Sequence, residues 1–143
     1  QKICFVLLLG TFSSVYGGDC FKDADVDHCL MKSQLGDSDA QFKLGNMYYD
    51  GQGVVQDYKE AIRWWKKSAE QGLAESQFNL GVVYYKGQGV DQDYVMAHMY
   101  FNLSSSNGDK DVIKSKDEVE KKMTPSQLEK AQRMAREWMS NHQ

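Results

Sequence analysis

The chain has one proline in 143 residues, no basic run longer than a Lys-Lys pair, and no apolar run near the roughly 20 residues of a membrane-spanning helix. Each shortage excludes something. Scarce proline leaves long uninterrupted helices possible. A formal charge of −3 without a basic patch gives phosphate backbones no long-range attraction, so nucleic acid is excluded as a partner. Only three cysteines occur, too few for a disulfide scaffold. What is abundant is apolar and aromatic: 41% hydrophobic residues, with eight Tyr, six Phe and three Trp, enough for the core of one domain. Twelve glycines supply the punctuation.

The first 17 residues differ from the rest. Lys2 precedes the apolar run Ile3–Leu9, residues 11–16 turn small and semi-polar, and Val15 and Gly17 stand at −3 and −1 of a cleavage site. That is the pattern of a secretory signal peptide. Residues 1–17 are therefore expected to be cleaved, with no stable membrane span left afterwards, and the mature protein to be periplasmic or secreted. The chain begins with Gln1 rather than Met, so the start of the precursor is expected to be missing. A mature chain from Gly18 keeps Cys20 and Cys29, the parity of an oxidising compartment. Two reduced thiols or a disulfide both remain open. Nine residues along one helix separate Cα atoms by about 13 Å, whereas a disulfide needs roughly 4.4–6.8 Å. If the two pair, Cys20 folds back from outside the helix that carries Cys29.

YYDGQGVVQDYKEA at Tyr48–Ala61 returns as YYKGQGVDQDYVMA at Tyr84–Ala97, a period of 36 residues. A period in this range marks stacked supersecondary units. Tyr58, Ala61, Ile62, Trp65 and Ala69 share one face of an amphipathic helix. Asp57 is placed to cap that helix with Glu60 completing a capping box, and Gly72 to close it in the left-handed conformation. Upstream, residues 39–49 predict a second helix, with Gly51 and Gly53 at the reversal. Gly45, Ala61, Gly81 and Ala97 are small residues at interior positions, where two helix axes can approach closely.

The pattern A/S-Q-F-x-L-G-x-x-Y-Y-x-G-x-G-V-x-x-D-Y-x-x-A resembles that of the SEL-1-like repeat family, helical-hairpin solenoids related to tetratricopeptide repeats. The resemblance covers residues 37–108 and implies an all-α fold, a short α/α superhelical solenoid. The expected organisation is a signal peptide over 1–17, an N-terminal partial repeat or cap over 18–36, repeats over 37–72 and 73–108, and a C-terminal helical cap over 109–143. Shifting the register back places Gly36 under Gly72 and Cys29 under Trp65, so residues 22–35 read as the second helix of a partial unit. Residues 109–122 read as a further first helix with Ile113, Lys116 and Val119 in sequence. Beyond it Thr124, Pro125 and Gln127 form a helix start, with Leu128, Ala131, Ala135 and Trp138 inward.

No residue set announces a reaction. Asp23, Asp25 and Asp27 alternate like the opening of a calcium loop, but His28 stands where a glycine is needed and Gln34 where a bidentate Glu is needed. His28 and Cys29 are neighbours on a helix and point about 100° apart, so they do not form a nucleophile pair. His98 and His142 lack the spaced ligands of a zinc site. Ser104-Ser105-Ser106 lacks the frame of a nucleophile elbow, and GQGV lacks the Gly-Lys-Ser/Thr of a phosphate loop. Tyr48, Tyr49, Tyr84 and Tyr85 read as core, as do Met31, Met47, Met96 and Met99.

The reading is thus a non-catalytic protein–protein interaction module, without cofactor or metal. Solenoids bind along a concave surface, and in this architecture the first helix of each hairpin lines it. The positions there that differ between copies are Lys43, Asn46, Met47 and Asp50, then Asn79, Val82, Val83 and Lys86. Their mixture of amide, charge and apolar groups suits a protein or peptide segment. The resemblance implies an exported bacterial adaptor or scaffold. It also carries a rival, since some cysteine-rich secreted relatives are linked to penicillin binding and weak β-lactamase activity. This chain lacks their regular cysteine pair in each repeat and any Ser-x-x-Lys.

Overall fold

Asp25, Asp37, Asp57, Asp93 and Thr124 each stand just before a run of helical apolar spacing, and each side chain accepts a backbone N–H of the first turn. These caps set five of the seven helix starts in the computed structural model, which describes residue 20, residues 25–109 and residues 111–143. Residues 1–17, expected to be a signal peptide, and positions 18, 19, 21–24 and 110 lie outside the described residues. The helices are α1 (Val26–Gln34), α2 (Ser38–Asp50), α3 (Tyr58–Glu70), α4 (Ala74–Lys86), α5 (Tyr94–Ser106), α6 (Ile113–Glu120) and α7 (Pro125–Asn141). No strand occurs among the described residues. The protein is a stack of α-helical hairpins, α2 with α3 and α4 with α5, with α1 packed on α2 and α7 on α5.

The hairpins close on a ring set against a glycine. A Cβ on Gly45 would fall inside the indole of Trp65, and one on Gly81 would lie 2.5 Å from Cε1 of Phe101. Ala61 and Ala97, on the facing helices, are fully buried beside these rings. Adjacent tryptophans serve successive layers. Trp64 packs with Cys29, Ala40, Leu44 and Met47, while Trp65 packs with Leu80 and Val83 of the next unit.

The turns repeat bond for bond. Gly51 and Gly87 take φ of 71° and 70° and donate to the carbonyls of Met47 and Val83, the left-handed closure that favours glycine. The Nε2 groups of Gln56 and Gln92 each donate to a tyrosine carbonyl, Tyr49 and Tyr85, at 2.8 Å. Between units the tie is a buried glutamine. Gln41 Nε2 donates to Ser33 O (3.0 Å) and its Oε1 accepts from Gln71; Gln77 donates to Ala69 O (3.1 Å) and accepts from Asn107. Gln41 thus grips α1 as Gln77 grips α3, so α1 occupies the place of a second hairpin helix. Cys20 folds back onto α1, bonded to Cys29 with a Cα separation of 5.1 Å.

Four details differ from expectation. Glu60 does not complete a capping box with Asp57; it forms a bidentate pair with Arg63 at 2.9–3.0 Å. Met31 is 39% exposed rather than core. The helix expected over 109–122 is shortened to α6, and its buried apolar residues are Val112 and Val119, with Ile113 60% exposed. Leu128 and Trp138 of α7 are half-buried, and only Ala131 and Ala135 are fully inside. The capping box of Thr124 and Gln127 forms in both directions.

At the far end of α7, His142 Nε2 lies 2.8 Å from Glu70 of α3 and Nδ1 lies 2.7 Å from Trp138 O, with the imidazole stacked 3.8 Å from the Trp138 ring. The Trp138 carbonyl and then the Glu70 carboxylate raise the His142 pKa above its ordinary value. A raised folded value means this contact is fully formed below the unfolded pKa, about 6.5, and is lost as pH rises through the folded one. Protection of the amides near residues 138–142, taken relative to the intrinsic exchange rate at each pH, is expected to fall over that window, and Glu70→Gln to shrink the fall; protection that does not change with pH would contradict the assignment. The glycine notch makes a second prediction. Gly81→Ala is expected to cost about 1–3 kcal/mol by overpacking, measured by urea unfolding. With Phe101→Ala already in place the same change should instead stabilise, by up to about 1 kcal/mol of helix propensity.

Candidate functional site

Two adjoining hollows lie along α2, α4 and α6, the first helices of successive units and the row expected to line the inner face. The first, about 220 Å³, is lined by Asn46, Tyr49, Trp65, Phe78, Asn79, Val82 and Val83. The second, about 230 Å³, is lined by Val82, Tyr85, Lys86, Phe101, Ser115 and Glu118. Val82 is the wall between them. Each is smaller than the roughly 300–1,000 Å³ that a whole small-molecule ligand occupies.

The polar floor of the first hollow has a fixed polarity. Trp65 Nε1–H, a group that can only donate, gives its hydrogen to Asn46 Oδ1 at 3.1 Å and lies 3.3 Å from Phe42 O. Asn46 must therefore present its oxygen to the indole, and Asn79 Nδ2 donates to that same oxygen at 3.2 Å. Asn46 Nδ2 and Asn79 Oδ1 are left over, one donor and one acceptor, without partners among the described residues. Aromatic rings form the walls, with Tyr49 5.3 Å from Trp65 and Phe78 5.5 Å from Phe101. The second hollow has opposite charges on its rim. Lys86 and Glu118 form no ion pair among the described residues.

Of the eight sequence candidates, Asn46, Asn79, Val82, Val83 and Lys86 line these hollows. Met47 and Val83 are core side chains, 5% and 1% exposed, because each packs against the second helix of a hairpin; neither is free to lead contact with a partner. Lys43 and Asp50 line neither hollow. Tyr49, Trp65, Phe78, Tyr85, Phe101, Ser115 and Glu118 also line the hollows and were not among the sequence candidates. Tyr49, Trp65 and Tyr85 are shared or similar between copies and so read as core, and Ser115 and Glu118 belong to a helix without the repeat's turn.

Elsewhere the polar side chains serve the fold. His98 is buried, with Nε2 2.7 Å from Glu120 of α6 and Nδ1 3.2 Å from Asn102 Nδ2, so it ties α5 to α6. Cys29 is held in the disulfide beside His28 and is not a thiolate. Ser104 donates to Ala74 O at 2.9 Å, joining α5 to α4. Burial, and then Tyr84 and Glu70, push the Tyr100 hydroxyl above the usual phenol range, so it remains neutral. A wider hollow of about 570 Å³ lies along the inter-unit turns, lined by Gly72, Leu73, Glu75, Asn107, Asp109 and Asp111 among others. No cluster of three or more His, Cys, Asp or Glu side chains able to hold a metal occurs among the described residues.

The family model described as "Sel1 repeat" matches residues 38–73 and 74–109, one residue later than the phase read from the sequence. Among solved structures, the chain resembles a protective antigen present in uropathogenic Escherichia coli strains that displays an SLR fold. The TM-score is 0.79 and the identity 36%, over 82% of this chain and 25% of that one. It also resembles a Sel1 repeat protein from Oxalobacter formigenes, with a TM-score of 0.62 and 27% identity, over 64% of this chain and 37% of that one. The chain thus spans about a quarter and somewhat over a third of these two relatives. No curated protein matches it.

If the indole N–H sets the polarity of the amide pair, Trp65→Phe keeps a ring in the glycine notch and frees both amides. The expected cost is about 1–2 kcal/mol for the lost bond and the smaller ring, with shifts in the side-chain amide resonances of Asn46 and Asn79. Unchanged resonances would show that Trp65 does not orient the pair.

Proposed function

The chain belongs to the Sel1 repeat family, a family of helical protein–protein interaction modules, and from that premise we propose an exported adaptor that binds a protein or peptide segment on its inner face. The observation that carries this reading is the pair of hollows along α2, α4 and α6, lined by amides, rings and two charges that form no ion pair among the described residues. Their chemistry is mixed and their size suits side chains rather than a whole small ligand. Helical solenoids offer such extended inner surfaces because each unit adds one more helix to the row.

Export is supported by three observations of different kinds. Residues 1–17 have the composition of a signal peptide. The Cys20–Cys29 disulfide is of a kind that persists in oxidising compartments. The similar structures come from bacteria. No helix among the described residues is long and apolar enough to cross a membrane. No observation favours β-lactam hydrolysis as a second function.

Affinity capture from the native envelope tests the reading, comparing the intact protein with a Lys43→Ala, Asn79→Ala, Lys86→Ala triple variant. One specific partner is expected to disappear from the variant's capture. A capture list that the variant leaves unchanged would remove the inner face from consideration.

A further inference from the structure

The two hollows differ in what they leave unsatisfied, and the difference specifies a ligand more narrowly than a protein surface. In the first, Trp65 forces Asn46 Oδ1 inward, and Asn46 in turn forces Asn79 to present Nδ2. What remains for a ligand is the Asn46 amino group with its two N–H, the second N–H of Asn79 Nδ2, and the Asn79 oxygen as acceptor, on neighbouring helices. A peptide unit offers the complementary pair, a C=O and an N–H, whatever its side chains are. Tyr49, Phe78 and Val82 wall the space beside these amides with apolar surface. In the second hollow, Lys86 needs an acceptor and Glu118 a donor, over a floor made by Phe101 and Tyr85. An acidic side chain would satisfy Lys86 and repel Glu118, and a basic one the reverse. A carboxamide satisfies both with one planar group.

Resting on the reading of an inner-face binding module, we infer that the occupant is an extended peptide segment held by its main chain at Asn46 and Asn79, with an apolar side chain in the first hollow and a Gln or Asn side chain in the second. The first hollow lies where α2 meets α4 and the second where α4 meets α6, with Val82 between them, so the peptide crosses the row of helices from α2 toward α6. Specificity resides in the two side chains that enter the hollows, and the main-chain contact is indifferent to sequence.

A positional-scanning library of short peptides blocked at both ends tests this on the full chain with its disulfide intact. On the unaltered protein, enriched peptides are expected to carry an aliphatic or aromatic residue and, at one fixed offset from it, Gln or Asn. Lys86→Glu should move the second preference to Lys or Arg, and Glu118→Lys should move it to Asp or Glu, while the first preference stays as it was. Val82→Trp fills the shared wall and should weaken every enriched peptide about tenfold or more, roughly 1.4 kcal/mol, with the helical circular dichroism unchanged. N-methylation of the peptide unit between the two selected positions should cost a similar factor. Peptides that bind with no response to Val82→Trp or to the charge reversals overturn this inference and leave the binding module standing. A captured protein partner with no enriched peptide also overturns it, since recognition then needs a folded surface. Absence of both peptide and partner overturns the module as well.

Discussion

The close approach of a ring to a glycine, Trp65 on Gly45 and Phe101 on Gly81, is the constraint from which the rest of the molecule follows. A mid-helix glycine costs about 1 kcal/mol against alanine, and here the loss is offset by burying a large ring between two helix axes. The close pairing also carries the ring edge toward the inner face. In the first unit that edge is an indole N–H, and it reaches Asn46. In the second unit the ring is Phe101, which has no donor, and the residue 36 positions after Asn46 is Val82. The two copies thus differ in a correlated way: where the ring loses its N–H, the facing helix loses its acceptor. The core substitution and the groove substitution are one event in physical terms.

The same logic explains where the stack stops. Gln41 and Gln77 each spend donor and acceptor on neighbouring elements, which fixes how one hairpin sits on the next. The next position in register is Ile113, which has nothing to exchange and is largely exposed. The position 36 residues after Gly81 is Asp117, which carries a side chain where the notch needs none and is exposed. Neither the inter-unit tie nor the intra-hairpin notch can therefore be repeated at α6. The helix is short, its burial rests on Val112 and Val119, and α7 lies on α5 instead of pairing with α6.

The helices were legible because their determinants are local and occur twice: an aspartate cap, a 3.6-residue apolar rhythm, a glycine in the left-handed region. The end of α1 was legible through Gly36, which takes φ of 94° as Gly72 takes 88°. The site was legible only in part. Comparing copies column by column selects positions that vary, which found Asn79 and Val82 but also Met47 and Val83, whose variation is exchange of one core side chain for another. The bond between Asn46 and Asn79 runs diagonally, joining positions 33 apart in a chain whose period is 36, so no column contains it. His98 and Glu120 meet across α5 and α6 for the same reason: the corresponding residues one unit earlier are Ile62 and Tyr84, an apolar pair that gives no hint of a charge. Glu60 shows the opposite failure, a correct local motif overruled by Arg63 one turn away.

Charge on the inner face argues for recognition at short range. Lys86 and Glu118 oppose each other across one hollow, and the net charge of −3 is spread over the chain. Fields of this kind cancel within about a Debye length, near 8–10 Å at physiological salt, so the proposed binding would proceed without steering from a distance, at the ordinary docking rate of roughly 10⁵–10⁷ per molar per second. Discrimination must then come after contact, from groups that are already oriented. The amide pair meets that need because its polarity is imposed from the core by Trp65, a side chain only 2% exposed, and is held before any ligand arrives. A groove whose donors and acceptors are set by the packing of its own hairpin loses little freedom on binding, and that is where a small inner face can gain selectivity without large area.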